Sequence, residues 1–162
     1  MEYKRIKRHP SQFLSLTGLT FAQFSELLPI FEVQWETYIS HYTLEGKVRH
    51  RAPKRQVCPT LPTSEEKLFF ILMYLKTNPL QEQLAASFSL TQPKANMLIH
   101  LFSGILHKSL KQLGELPERN EQKLKYLTQN SQDLLLDGVE RSIQRPKASD
   151  QQKECYSGKK NS

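Results

Sequence analysis

Apolar residues keep helical spacing along most of the chain and switch to a short continuous run near residue 135. Pro10 to Gly18 reads as a short helical turn, closed by a glycine able to take the left-handed conformation at a helix end. Thr20 and Gln23 form a capping box, and after it Phe21, Phe24, Leu28, Phe31, Trp35, Tyr38 and Tyr42 recur by three and four. That aromatic seam marks one helix face, packed either on the chain's own helices or on a second copy. Pro29, inside the pattern, removes a hydrogen bond and predicts a kink or a split.

Residues 63–112 read as three helices. Thr63 and Glu66 make a second capping box, with Pro62 just before it. The run Leu68-Phe69-Phe70-Ile71-Leu72-Met73-Tyr74-Leu75 is apolar on nearly all sides, as in a helix clasped by others, and too short to span a membrane. Asn78 and Pro79 predict a restart, Asn78 as N-cap and Pro79 at the first helical position, with Leu80, Leu84 and Phe88 on one face. A tight break at residues 87–90 leads to Thr91, a candidate cap for the third helix. Ala95, Leu98, Ile99, Phe102, Ile105 and Leu106 form its buried stripe, leaving Gln92, Lys94, Asn96, Met97 and His100 on the opposite face near its start.

This order of helices fits a helix-turn-helix, in which the third helix presents side chains to base edges in the major groove of double-stranded DNA. Asn and Gln pair bidentately with adenine and Lys with guanine. The same polar residues also suit the solvated side of a plain three-helix bundle, and the turn has Ser89 where glycine is more usual.

Charge shifts the balance toward a polyanion. The 162-residue chain carries a net +7. The 47–55 segment holds Lys47, Arg49, Arg51, Lys54 and Arg55 with no acidic residue, and Lys4, Arg5, Lys7 and Arg8 form a second cluster. Arg49, Arg51, Lys54 and Arg55 read as phosphate contacts, against the alternative of a solvated loop; the 4–8 cluster reads as a frayed end, against the alternative of phosphate contact. Cys58 and Cys155, far apart and without CxxC partners, argue against a disulfide framework or zinc site and fit a reducing cytoplasm. No signal peptide or membrane run is expected.

Residues 43–62 read as a basic, proline-punctuated linker. Gly114, Pro117 and a polar run mark another boundary, with a helical turn around residues 121–127. Asp133-Leu134-Leu135-Leu136-Asp137-Gly138-Val139 then reads as a buried strand that delivers a carboxylate at its edge, with residues 155–160 able to start a partner strand. Asp137 suits a divalent metal such as Mg²⁺, which takes hard oxygen ligands, or serves as a turn or cap residue. The fold class is therefore mainly α. It comprises an N-terminal helical region with a basic linker (1–62), a helix-turn-helix domain (63–115), a linker (116–132) and a short strand or hairpin (133–162).

Phe13-Leu14-Ser15-Leu16-Thr17-Gly18-Leu19-Thr20, Leu61-Pro62-Thr63, Tyr74-Leu75-Lys76-Thr77, the helix-turn-helix, Leu116-Pro117-Glu118-Arg119, the segment from Asp137 through Gly138-Val139-Glu140-Arg141-Ser142-Ile143-Gln144-Arg145 to Pro146, and Tyr156-Ser157-Gly158-Lys159-Lys160 together resemble the N-terminal part of bacterial insertion-sequence transposases of the DDE superfamily. The resemblance implies binding to the element's terminal inverted repeats in a bacterial, nucleoid-associated setting. It implies an RNase H-like domain following, in which three carboxylates and two Mg²⁺ ions cut and join DNA; the DNA-binding part itself takes no cofactor. By match to the motif Asp137 stands at the first catalytic aspartate, and Glu140 is given a structural role. The later carboxylates of the family have no counterpart before Asn161-Ser162. Residues 133–162 are thus expected to be an incomplete RNase H-like domain, inactive alone. Expected partners are a catalytic part from a downstream frame, the full transposase, which this chain would serve or inhibit as a DNA-binding regulator, or a second copy in a homodimer.

Overall fold

The computed structural model describes residues 3–52, 57–117 and 121–128. They form α1 (Tyr3–Ile6), α2 (Pro10–Thr17), α3 (Phe21–His41), α4 (Ser64–Thr77), α5 (Gln81–Ser87), α6 (Gln92–Leu113) and α7 (Glu121–Thr128). Residues 1–117 make one compact unit, and α7 belongs to a second. The mainly helical class is as expected. Among the described residues the β structure recorded is an isolated antiparallel bridge between Tyr42 and Val48. The strand expected around Asp137 lies outside the described residues, as do Lys54, Arg55 and Cys155.

Both capping boxes form. The Thr20 and Thr63 hydroxyls accept from the backbone N–H of Gln23 at 3.3 Å and Glu66 at 3.1 Å, and the Gln23 and Glu66 side chains accept in return. Such caps satisfy donors that a helix start leaves open. α2 ends at Gly18, whose φ is +74°. A side chain there would also press on Lys76 of α4, since a Cβ would stand 3.3 Å from its Cδ.

α4 is the axis of the first unit, with every residue from Lys67 to Met73 buried. Phe69 and Phe70, adjacent in the chain, leave it in different directions and join two groups of rings. Phe69 meets Tyr3 at 5.4 Å and Phe13 at 6.0 Å, while Phe70 meets Phe88 at 5.0 Å and Phe102 at 6.0 Å. Phe31 and Trp35 of α3 close on Phe102 at 6.3 and 5.6 Å. The aromatic seam is therefore core at Phe24, Phe31 and Trp35, with Phe21, Leu28 and Tyr38 packed partly against it and Tyr42 exposed. The N-terminal helices and residues 63–113 share one hydrophobic interior.

Several sequence expectations are corrected here. The split expected at Pro29 does not occur: α3 is one continuous helix, with Pro29 exposed on its outer side, where water can satisfy the carbonyl that proline leaves unpaired. The stretch around Lys4 to Arg8 is docked rather than frayed, because Tyr3 and Ile6 are buried in the core. Asn78 closes α4 instead of capping α5: its φ of +43° and ψ of +51° are left-handed, which Asn tolerates better than most residues. Leu80 is the N-cap residue of α5 and stands 69% exposed, off the face carrying Leu84 and Phe88. The 43–62 stretch does more than connect, since Cys58 and Leu61 are buried.

Candidate nucleic-acid interface

α5, the turn and α6 are set by packing before any ligand is considered. Phe88 ends α5 against Phe69 and Phe70, fixing the depth of the turn. Ser89 follows with φ +54°, the left-handed conformation for which glycine is favoured. The Leu90 N–H then returns to the Ala85 carbonyl at 2.8 Å, which closes the turn. Thr91 is the N-cap of α6, but its side chain makes no capping bond. With no acidic residue in its first turn and one donor removed by Pro93, α6 starts with its remaining first-turn N–H groups uncapped by the Thr91 side chain, an arrangement suited to phosphate.

The α6 stripe is buried as expected: Ala95, Leu98, Ile99, Phe102, Ile105 and Leu106, joined by Leu101 and Ser109. Gln92 and His100 are exposed, and Lys94, Asn96 and Met97 are half-buried. The helical period keeps Gln92, Asn96 and His100 within about 80° of one another, whereas Lys94 stands at the edge of the stripe beside Leu101 and Ile105, and Met97 packs partly against the core.

Two of these side chains are tied together through a residue of α5. Gln81 accepts a hydrogen bond from the Gln92 Nε2 at 2.6 Å and donates its own Nε2 to the Asn96 Oδ1 at 3.0 Å. Gln81, half-buried at the first position of α5, is a functional candidate that sequence reasoning missed. It lies on a different helix, and no periodicity links it to Gln92 or Asn96.

The basic segment is described as far as Ala52. After α3 the chain makes a turn in which the Thr43 N–H donates to the Lys47 carbonyl and the Arg49 N–H to the His41 carbonyl. Arg49 also donates from Nε to the Tyr42 carbonyl at 3.2 Å, placing its cation at the carbonyl end of α3, where the helix dipole favours it. Arg51 is exposed. Glu45 in this turn is held below the usual carboxylate range, first by its own backbone N–H and the Thr43 hydroxyl, then by attraction to Lys94 and Lys47. Lys94 of α6 is thus within electrostatic reach of the turn that carries the basic segment.

Lys67, the second residue missed, is a lysine sealed inside the apolar run of α4. It is 3% exposed, donates to the Pro62 and Thr63 carbonyls at 3.1 Å each, and lies 5.0 Å from the Trp35 ring centre. Burial pushes its pKa down, against the attraction of Cys58, Glu66 and Glu32.

Among the described residues no group of three or more His, Cys, Asp or Glu side chains is arranged to hold a metal ion. Among the described residues no single helix is long and apolar enough to cross a membrane. Residues 59–112 match the family described as the helix-turn-helix of DDE superfamily endonuclease. This segment belongs to that family. No curated protein and no solved structure matches the chain at a significant level. The helix-turn-helix expected from spacing at residues 63–112 coincides with the matched stretch, so this segment is a DNA-binding helix-turn-helix of transposase-related type.

Proposed function

We propose that the helix-turn-helix recognises the terminal inverted repeats of the mobile element that encodes this chain, as the DNA-binding part of a DDE transposase. The observation that carries this reading is the polar face of α6. Gln92, Asn96 and His100 lie off the buried stripe of the third helix of the matched segment, with Lys94 and Met97 half-buried at its margins. In that arrangement α6 enters the major groove, its amide side chains reading bases, while Arg51, with Lys54 and Arg55 beyond the described residues, meets phosphates. The same reading takes Asp137 as the first carboxylate of an RNase H-like catalytic domain beginning near residue 133. Asp137 lies outside the described residues.

The test is selection from a pool of duplexes with a randomised centre, using the purified chain. The selected sequence is expected to recur in inverted orientation on both sides of the gene. Equal retention of all duplexes, or a selected sequence absent from those flanks, refutes the reading.

A further inference from the structure

Resting on the base-readout reading above, we infer that Gln81 is a specificity-determining positioning residue: it couples Gln92 and Asn96 into one reading unit without itself touching a base. Each amide carries one carbonyl acceptor and one two-proton donor. Gln81 uses one of each: its Oε1 accepts from Gln92 at 2.6 Å and its Nε2 donates to Asn96 at 3.0 Å. These two bonds decide what the other two amides present. Asn96, with its Oδ1 engaged toward Gln81, turns its Nδ2 donors outward. Gln92, with one proton committed, keeps a free Oε1 and a second N–H.

The bonds also remove independence. Turning over Gln92 or Asn96 alone sets donor against donor or acceptor against acceptor at Gln81. Only a reversal of all three amides restores both bonds. Gln92 and Asn96 therefore hold one joint polarity, and a base change at one contact is felt at the other. Asn and Gln on an exposed helix face otherwise rotate freely, and such freedom blurs the distinction between bases that offer donors and those that offer acceptors. Gln81 is placed to remove it because it is half-buried at the start of α5, and the aromatic packing of Phe88 holds α5 against α4.

The experiment uses the full chain and the duplex it selects from a randomised pool, together with every single-base variant of that duplex. Gln92→Ala and Asn96→Ala first identify the two base positions they read. Gln81→Ala is expected to lower discrimination about fivefold or more at both positions together. Combined with Asn96→Ala, it is expected to add no further loss at the Asn96 position, the non-additivity of residues that act as one. Gln81→Glu supplies the second arm. A carboxylate only accepts, so Gln92 keeps its bond while Asn96 must turn over to donate, exposing its Oδ1. The preferred base at the Asn96 position is then expected to change from an acceptor-bearing to a donor-bearing edge, whatever the added negative charge does to total affinity.

Loss of affinity in equal proportion on all duplexes, loss at one position only, or no change of base with Gln81→Glu overturns the assignment while leaving base readout standing. If the wild-type chain selects no sequence, base readout falls and the assignment falls with it. Thermal melting of each variant separates these outcomes from unfolding.

Discussion

Lys67 offers a test of how the interior is balanced, because opposing contributions of similar size meet at one atom. Its ammonium makes two hydrogen bonds to carbonyls, at 3.1 Å each, and faces the Trp35 ring at 5.0 Å. Bonds from a charged donor contribute about 1.5–3 kcal/mol each, and the ring contact about 0.5–2 kcal/mol. Burying the ammonium costs several kcal/mol even after relaxation. These opposing contributions overlap in size, so Lys67→Met, similar in length and uncharged, is expected to cost less than Lys67→Ala. Lys67→Ala instead leaves a cavity beside Trp35 and α4 and is expected to cost about 2–4 kcal/mol. Trp35 is the single tryptophan and is 5% exposed, so its fluorescence during urea unfolding reports the transition directly.

The pH dependence has a definite sign. A lysine whose pKa is lowered by folding binds fewer protons in the native than in the unfolded chain once pH exceeds the native value. Stability contributed by this group therefore rises from the lowered native value up to the unfolded value near 10.4, and is constant below. Tyr3 and Tyr38 act oppositely: burial raises both phenols, so stability falls as the unfolded phenols ionise near pH 10. The comparison belongs below about pH 9.5. There the wild-type chain should gain stability relative to Lys67→Met as pH climbs. A Met variant as damaged as the Ala variant, or one that keeps the same alkaline gain, refutes the balance.

Three further outcomes are expected. Ser89→Gly should stabilise the fold by about 0.5–1 kcal/mol in the same urea assay, since relief of a left-handed residue, about 1–2 kcal/mol, exceeds the added entropy of an unfolded glycine, about 0.5–1 kcal/mol; a loss of stability would mean the serine holds the turn by another route. Phe102→Ala, fully buried between Phe31, Trp35 and Phe70, should cost about 3–5 kcal/mol, whereas Val33→Ala on the exposed side of α3 should stay within about 0.5 kcal/mol; equal costs would contradict the placement of the α3 seam in the core. Arg51→Ala should weaken binding to every duplex alike and reduce the slope of log affinity against log salt by about 0.9, one phosphate's worth; a change confined to one base position would make Arg51 a reader of sequence.

The parts of this fold that could be read in advance are those governed by local periodicity and capping. Thr20 with Gln23 and Thr63 with Glu66 place two helix starts to the residue, because each box is a bond between neighbours three apart. The α6 stripe follows equally from its spacing. Where two local rules compete, the tertiary setting decides. Asn78 before Pro79 suits either the end of one helix or the start of the next, and burial of α4 up to Met73 made it an end. Pro29 leaves one bond unmade and crowds the preceding turn, and its exposed position lets water meet the freed carbonyl while the helix continues. The residues that carry the interface inference have no local signature at all. Gln81 stands 11 residues before Gln92 and 15 before Asn96, and only the left-handed turn at Ser89, with Phe88 seated between Phe69 and Phe70, brings the three amides within bonding distance. That closeness is a consequence of the core. On the proposed reading of α6, a substitution that tilts α5 without touching any polar side chain should therefore disturb base readout as surely as one at Gln81, and buried aromatic residues such as Phe69 would act on recognition through the placement of α5.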